Sequence, residues 1–403
     1  MCYSAIHDFD TCLQCGVCSE IVDCPGSEES ICLGCGACVI ACQSEALQLV
    51  DDPRESEVCI EVNNDAMRVP ERITVKDALI KLGYPTAIFT EDKGIYAPCD
   101  VGGCWGCVVD INGEVKRSCR VGVKDGMQVK MTLPQDYVPR RVILGFSGHP
   151  VGGVGTPWED KIDAGQFAEV VCFAAGCNFR CPQCQNWHIS YRGTGEPMIP
   201  GDAAKNLTLE RDNKKVNRLT ISGGEATLNR PWLVQFMREL KRLNPEPYSH
   251  LHVDTNGSLL THEYIDELVE SGMTDVGIDL KASDLNAFMR ITGLKDSAIA
   301  EKYQETAWEA VRYISKKYEG KVFLGVGFPY NRELNPITEV SNMAERLMQI
   351  ASYIPVTVLN YRPEFRSKIA GPGDNEMHGV YQVLKDMGLK TILCQTTQGH
   401  IGP

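Results

Sequence analysis

The second half of the chain predicts an α/β fold built on a parallel sheet, and the first half predicts two small modules organised around cysteines. Three observations carry this expectation. Apolar strands near 168–173, 216–222, 249–255, 274–281, 321–328 and 355–361 alternate with amphipathic helices, the pattern of a parallel α/β layer. Of the 19 cysteines 15 fall into tight clusters, leaving Cys2, Cys59, Cys172 and Cys394 outside, which in a chain of 403 residues speaks for metal and against a disulfide scaffold. A stretch rich in glycine and proline, 134–166, separates the two textures.

Composition narrows the class of protein. With 43% hydrophobic and 23% charged residues the chain reads as globular, long enough for two or three domains. Its 40 basic and 53 acidic side chains leave a net charge of −13, which disfavours non-specific binding to nucleic acid or to an anionic membrane. No run approaches the roughly 18 to 20 apolar residues of a membrane span, and Met1-Cys2-Tyr3-Ser4 opens no secretory signal. A cytoplasmic protein is expected, without nucleic-acid or membrane partners.

Residues 1–51 hold Cys12, Cys15, Cys18 and Cys24, then Cys32, Cys35, Cys38 and Cys42. This duplicated C-x2-C-x2-C triplet with a trailing cysteine is the spacing of bacterial two-cluster ferredoxins, in which the fourth cysteine of each run ligates the other cluster. One 4Fe-4S cluster is expected on Cys12, Cys15, Cys18 and Cys42, and a second on Cys24, Cys32, Cys35 and Cys38. Gly16, Gly34 and Gly36 suit a backbone that wraps closely around inorganic sulfide. The first run has five residues before its last cysteine, and Gln43 stands where proline often follows Cys42. Neither departure removes a ligand. A zinc ribbon is the competing reading, and duplicated cysteine triplets without histidine speak against it.

Between 56 and 133 the texture changes to short strands with one helix. Asn63-Asn64-Asp65 and Ile111-Asn112-Gly113 read as hairpin turns, and Thr74 reads as the cap of a helix that Gly83 ends. Cys99, Cys104 and Cys107 keep the C-x4-C-x2-C spacing of plant-type 2Fe-2S ferredoxins, with Cys119 as the fourth ligand. The segment resembles the β-grasp 2Fe-2S domain at the start of several redox-complex subunits. Residues 134–166 read as a linker. Its Gly152-Gly153-Val154-Gly155-Thr156 stretch has no lysine at phosphate-loop spacing, and a loop that closes over substrate is the alternative.

Past the linker, Cys177, Cys181 and Cys184 form a C-x3-C-x2-C run directly after an apolar stretch, with no fourth thiol close by. A structural zinc site wants four closed ligands, whereas an iron–sulfur cluster held by three cysteines keeps one iron free for a small molecule. Downstream stand Ile221-Ser222-Gly223-Gly224-Glu225, Val253-Asp254-Thr255-Asn256-Gly257 and Ile278-Asp279-Leu280-Lys281. In this order and spacing the motifs resemble those of radical S-adenosylmethionine (radical SAM) enzymes, and among them the pyruvate formate-lyase activating enzyme branch, over about residues 168–400.

That resemblance implies an α/β fold over 167–403, an open partial (β/α)6 barrel with ligands at the carboxyl ends of its strands. An α+β two-cluster 4Fe-4S ferredoxin domain (1–51) and a β-grasp 2Fe-2S domain (56–133) would precede it. It also implies a third 4Fe-4S cluster, on Cys177, Cys181 and Cys184, that binds S-adenosyl-L-methionine. One electron would then release a 5′-deoxyadenosyl radical, which takes hydrogen from a substrate in a dry pocket. Gly223, Gly224 and Glu225 would meet the methionyl ammonium, while Asp254, Asn256, Asp279 and Lys281 would surround the ribose and the methionyl carboxylate. An ordinary ion pair is the plain reading of Asp279 and Lys281.

Two departures bear on the target of the chemistry. Phe328-Pro329-Tyr330-Asn331 stands where activating enzymes often carry a Val-Pro-Gly turn with a nearby histidine, and the next histidine is His378. The extra clusters precede the three-cysteine run, whereas activating enzymes that have them carry them after it. The expected function is a radical SAM oxidoreductase fed from a low-potential donor, acting on a glycyl radical enzyme. The alternatives are action on a small metabolite, peptide or cofactor precursor, and an electron-transfer subunit that does no radical chemistry.

Overall fold

Backbone hydrogen-bonding demands and the turn residues set most of the local elements. The computed structural model describes residues 2–27, 31–156 and 167–402. It divides into two units, one of 1–144, 174–178 and 186–199, the other of 145–173, 179–185 and 200–403.

In the first unit β1 (Tyr3–His7) leads to α1 (Val17–Glu20), α2 (Ala37–Ala41) and β2 (Leu47–Asp51), and β2 pairs antiparallel with β1. Gly16 and Gly36, each with φ of 74°, start the two helices, a left-handed conformation that a side chain disfavours. The duplicated cysteine spacing therefore folds as a duplicated loop-and-helix turn. β3 (Glu57–Val62) and β4 (Asp65–Pro70) form the expected hairpin, with Asn63 and Asn64 at φ of 52° and 77°. Thr74 accepts from Asp77 N at 3.1 Å and caps α3 (Val75–Lys81). β5 (Val108–Ile111), β6 (Glu114–Arg117) and β7 (Gln128–Lys130) complete a five-stranded sheet in the order β4-β3-β7-β5-β6. Ile60, Val62, Leu79, Ile111 and Val129 form its core.

Where the sequence predicts a linker, the structure places β8 (Arg141–His149), a strand of nine residues. Glycine density misleads here, because Val142 and Ile143 are buried while Gly145 and Gly148 sit within the strand. Residues 157–166 of that stretch lie outside the described residues. β8 is followed by β9 (Glu169–Ala174), α4 (Trp187–Ser190) and β10 (Pro197–Met198), which pairs antiparallel with the first residues of β8.

The second unit continues with α5 (Pro200–Lys214), β11 (Arg218–Gly223), α6 (Arg230–Leu243), β12 (His250–Thr255), α7 (His262–Glu270) and β13 (Asp275–Asp279). It ends with α8 (Leu285–Thr292), α9 (Ser297–Lys317), β14 (Phe323–Tyr330), α10 (Ile337–Ile350), β15 (Val356–Asn360), α11 (Asp374–Asp386), β16 (Ile392–Thr396) and β17 (Gly399–Ile401). From β11 to β16 each strand pairs parallel with the next, and β17 closes the row antiparallel. The six expected strands are β9, β11, β12, β13, β14 and β15, and β16 adds a parallel strand that the sequence did not signal. β13 stops at Asp279, short of the predicted 281, because Leu280 N turns back to Ile278 O at 3.1 Å. Among the described residues no helix is long and apolar enough to cross a membrane.

The glycine-rich strap 152–156 lies against this sheet. A methyl on Gly155 (φ 77°) would stand 2.6 Å from Val276 O, and one on Gly325 would stand 2.6 Å from Gly155 Cα. Arg218, wholly buried, donates to Gly155 O at 2.6 Å and to Asp275 Oδ1 at 3.0 Å, with Glu169 3.4 Å from its Nε. Glu169, Arg218 and Asp275 are the first residues of their strands. Gly155 is thus pinned at the amino ends of the strands, while a methyl on Gly153 would stand 3.9 Å from Asp254 Oδ2, near the carboxyl end of β12.

Candidate functional site

Parallel pairing aligns the carboxyl ends of β11, β12 and β13, and each of these ends carries one of the sequence motifs. Gly223 closes β11 with φ of 120°, a conformation open to glycine and strained for other residues. Glu225 is wholly buried. Its Oε1 accepts from Thr227 N (2.9 Å), Thr227 Oγ1 (2.6 Å) and Thr255 Oγ1 (2.5 Å), and its Oε2 accepts from Asn256 N (2.7 Å). The carboxylate expected to meet a ligand ammonium is therefore engaged by the chain's own donors, and ties the turn after β11 to the turn after β12. Asn256 Oδ1 in turn accepts from Ser258 N at 3.0 Å.

Asp254 feels three other carboxylates. Burial pushes Asp254 up to about 7, the nearby Asp279, Glu169 and Glu225 push the same way, and a 2.7 Å hydrogen bond from Ser222 Oγ opposes them. Lys281 forms an ion pair with Asp279 and donates to Tyr361 Oη at 3.0 Å. Burial works against the charge on Lys281, but Asp279, Tyr361 and Cys181 outweigh it and hold its pKa well above the ordinary value. Among the described residues Asp279 Oδ1 is buried without a hydrogen-bond partner, an acceptor suited to a ligand hydroxyl. Tyr361, one residue past β15, escaped the sequence reading; a tyrosine just beyond an apolar strand was the only signal.

Cys181 belongs to this neighbourhood. Burial raises its thiol to about 12, with Cys184 and Asp279 adding to the rise and Lys281 opposing it. Cys181 and Cys184 belong to the second unit and Cys177 to the first. A buried thiol of this kind becomes a good ligand once a metal draws off its proton. His378 is exposed, with Nδ1 2.9 Å from Asp374 O, and takes no part.

The first unit groups its cysteines in three sets. Cys18 is raised by burial and by the sulfurs of Cys15, Cys42 and Cys12. Cys38 is raised to about 12 by burial and by Cys35, Cys32 and Cys24. Each set thus joins one triplet to the trailing cysteine of the other. Cys99, Cys104, Cys107 and Cys119 are all buried, and the Sγ atoms of Cys107 and Cys119 lie 3.2 Å apart. Hydrogen bonds from Cys104 and Cys119 pull Cys99 and Cys107 below the ordinary thiol range. Two sulfur pairs fit a 2Fe-2S cluster with two sulfurs on each iron. A cleft of about 540 Å³ lies elsewhere, near the amino ends of β12 to β14, lined by residues such as His250, Asp275 and Phe323. It holds none of the motif residues.

Residues 171–337 match the radical SAM superfamily, and residues 55–133 match the 2Fe-2S iron-sulfur cluster binding domain. Over 122 residues the chain is 32% identical to a Methanocaldococcus jannaschii protein that carries the name of a glycyl-radical enzyme activating enzyme, covering 30% of this chain and 46% of that one. Over 221 residues it is 24% identical to the AdoMet-dependent heme synthase of Methanosarcina barkeri, covering 53% of this chain and 57% of that one. The chain thus spans about half the length of these relatives. Among solved structures it is similar to Streptococcus suis SuiB bound to S-adenosylmethionine, at 15% identity and a TM-score of 0.42, covering 53% of this chain and 45% of that one.

Proposed function

From a chain that carries a radical SAM domain at 171–337 and a 2Fe-2S domain at 55–133, we propose an enzyme that reductively cleaves S-adenosyl-L-methionine with electrons drawn through its own cysteine clusters. The observation that carries this reading is the company Cys181 keeps: a buried lysine and its partner carboxylate, Asp279, whose Oδ1 has no hydrogen-bond partner among the described residues. An electron-transfer subunit has no use for such a set.

A 4Fe-4S cluster on Cys177, Cys181 and Cys184 would supply the electron and the iron that anchors the methionyl end. The chain's own residues do the rest. Asp279 offers Oδ1 to a ribose hydroxyl, and Lys281 pairs with the same carboxylate. Asp254, once ionised, balances the cationic ligand, and Asn256 lines the same side. Gly223 and Gly224 let the backbone approach the ammonium, and Glu225 holds their turn in shape. Cys12, Cys15, Cys18 and Cys42, with Cys24, Cys32, Cys35 and Cys38, would hold two further 4Fe-4S clusters of a ferredoxin-like module. Cys99, Cys104, Cys107 and Cys119 would hold the 2Fe-2S cluster.

The target we infer is a glycine of a partner protein, on which the enzyme installs a radical. The order of the Gly-Gly-Glu, Asp-Thr-Asn-Gly and Asp-Leu-Lys motifs and the name of the M. jannaschii relative support it. Anaerobically reconstituted protein with a strong reductant is expected to release 5′-deoxyadenosine and methionine, and Cys181→Ala to abolish that release. Wild-type protein that binds no S-adenosylmethionine under these conditions sinks the enzyme reading. An organic radical on a partner glycine, seen by electron paramagnetic resonance (EPR), supports the target. Deuterium passing from a small molecule or peptide into 5′-deoxyadenosine overturns the target and leaves the chemistry standing.

A further inference from the structure

Within the first unit Arg120 stands between two of the three cysteine sets. It follows Cys119 directly and is 7% exposed. Its Nη1 donates to Cys35 Sγ at 3.5 Å and to Asp23 O at 3.1 Å, and its Nη2 donates to Asp100 O at 2.8 Å. One guanidinium therefore touches the Cys24, Cys32, Cys35 and Cys38 set and the loop of the Cys99, Cys104, Cys107 and Cys119 set. Arg117 seals the same junction, with Nη2 2.7 Å from Asp23 Oδ2 and Nη1 3.1 Å from Gly102 O.

The other side of the Cys99–Cys107 loop rests on the segment that carries Cys177. A methyl on Gly176 would stand 3.1 Å from Cys104 Cβ and 3.2 Å from Cys99 Cβ, and one on Gly103 would stand 2.8 Å from Ala175 Cβ. Val142 N donates to Gly103 O at 3.1 Å, Ala175 N donates to Val142 O at 3.0 Å, and the wholly buried Arg141 donates to Ala175 O at 3.0 Å. Glycine at 103 and 176 is what permits this approach. At the far end, Cys15 and Cys18 are exposed and open to an outside donor. Cys24 is exposed as well, but Cys32, Cys35 and Cys38 are half-buried, and Cys35 meets Arg120.

We propose that electrons cross this chain in one order, from the Cys12, Cys15, Cys18 and Cys42 set through the Cys24, Cys32, Cys35 and Cys38 set and the Cys99, Cys104, Cys107 and Cys119 set to Cys177, with Arg120 the positive charge that holds the middle two reducible. This rests on the cluster reading above. Each passage moves one electron: a low-potential one-electron donor is oxidised and the sulfonium of S-adenosylmethionine is the final acceptor. Reduction adds negative charge to a cluster, and a buried guanidinium that never deprotonates stabilises the reduced form. Arg120 is a positioning residue, since it touches no substrate.

The test uses the full chain, loaded anaerobically with iron and sulfide, titrated with reductant and followed by EPR. The 2Fe-2S signal is expected to broaden once the neighbouring 4Fe-4S cluster is reduced. Arg120→Gln is expected to lower the midpoint of the 2Fe-2S cluster and of one N-terminal 4Fe-4S cluster while leaving the other in place. Arg120→Lys, which keeps the charge, restores most of the shift. An unbroadened 2Fe-2S signal in the fully reduced chain overturns the order. Unchanged midpoints in Arg120→Gln, or equal shifts in the Gln and Lys variants, overturn the role of Arg120. If Arg120→Gln takes up no 2Fe-2S iron, the wild-type broadening and the Lys midpoint decide. Failure to cleave S-adenosylmethionine would sink the enzyme reading and the final acceptor with it, and leave the order of the clusters and the role of Arg120 to these signals, which do not depend on cleavage.

Discussion

Asp254 couples ligand binding to pH. Its folded pKa of about 7 lies above the ordinary 3.8, so between those values the folded chain holds a proton that the unfolded chain has lost. The contribution of Asp254 to stability is therefore complete below the ordinary value and declines as pH rises toward about 7. Asp279, Glu169 and Glu225 face it and disfavour its charge, and a cationic ligand reverses that preference. Affinity for S-adenosylmethionine is expected to rise severalfold from about pH 6 to about pH 8, and Asp254→Asn to flatten the rise, as read by calorimetric titration. Glu225→Ala strands donors of Thr227, Thr255 and Asn256 in a buried site. At about 1 to 3 kcal/mol for each unsatisfied group, a loss of at least about 3 kcal/mol is expected in denaturant unfolding. Unchanged stability would show that water replaces the carboxylate.

At the scale of elements, helices and hairpins follow their local chemistry, and the strap follows its surroundings. Thr74→Ala removes the cap on Asp77 N and should cost about 1 kcal/mol. Gly155→Ala asks for more. Its φ of 77° disfavours any side chain, and the new methyl meets Val276 O at 2.6 Å and Gly277 Cα at 2.8 Å. A loss of roughly 2 kcal/mol or more is expected, seen as a lower thermal midpoint. A Gly155→Ala chain as stable as wild type would mean that the strap is not held against β13 and β14.

The whole molecule sets two further expectations. Ligand counts predict three 4Fe-4S clusters and one 2Fe-2S cluster, about 14 irons per chain, and saturation near four irons or filling with zinc would remove the built-in wire. A chain that starts at about residue 160 loses β8 and the strap together, and with them the partner of Arg218 at Gly155. It should be destabilised, as read by circular dichroism and proteolysis, because the packing of the strap on β13 and β14 and the Arg218 hydrogen bond to Gly155 O are lost together. Testing the proposed electron route while keeping the motifs between Gly223 and Lys281 therefore calls for cysteine substitutions in the full chain.

Sequence by itself determined what is coded by spacing and by turn chemistry. The cysteine triplets, the Asn63-Asn64 and Asn112-Gly113 turns, the Thr74 cap and most strands of the second unit could all be read, because a few neighbouring residues decide each. Glycine density hid β8, since strand formation there depends on partners far along the chain. Only the tertiary structure decided that Glu225 is engaged by Thr227, Thr255 and Asn256, that Tyr361 reaches Lys281, and that Arg120 lies on Cys35, 85 positions away. Such contacts join residues remote in sequence, and hydrogen bonding and charge at a buried site depend on which elements pack together, which no local pattern records.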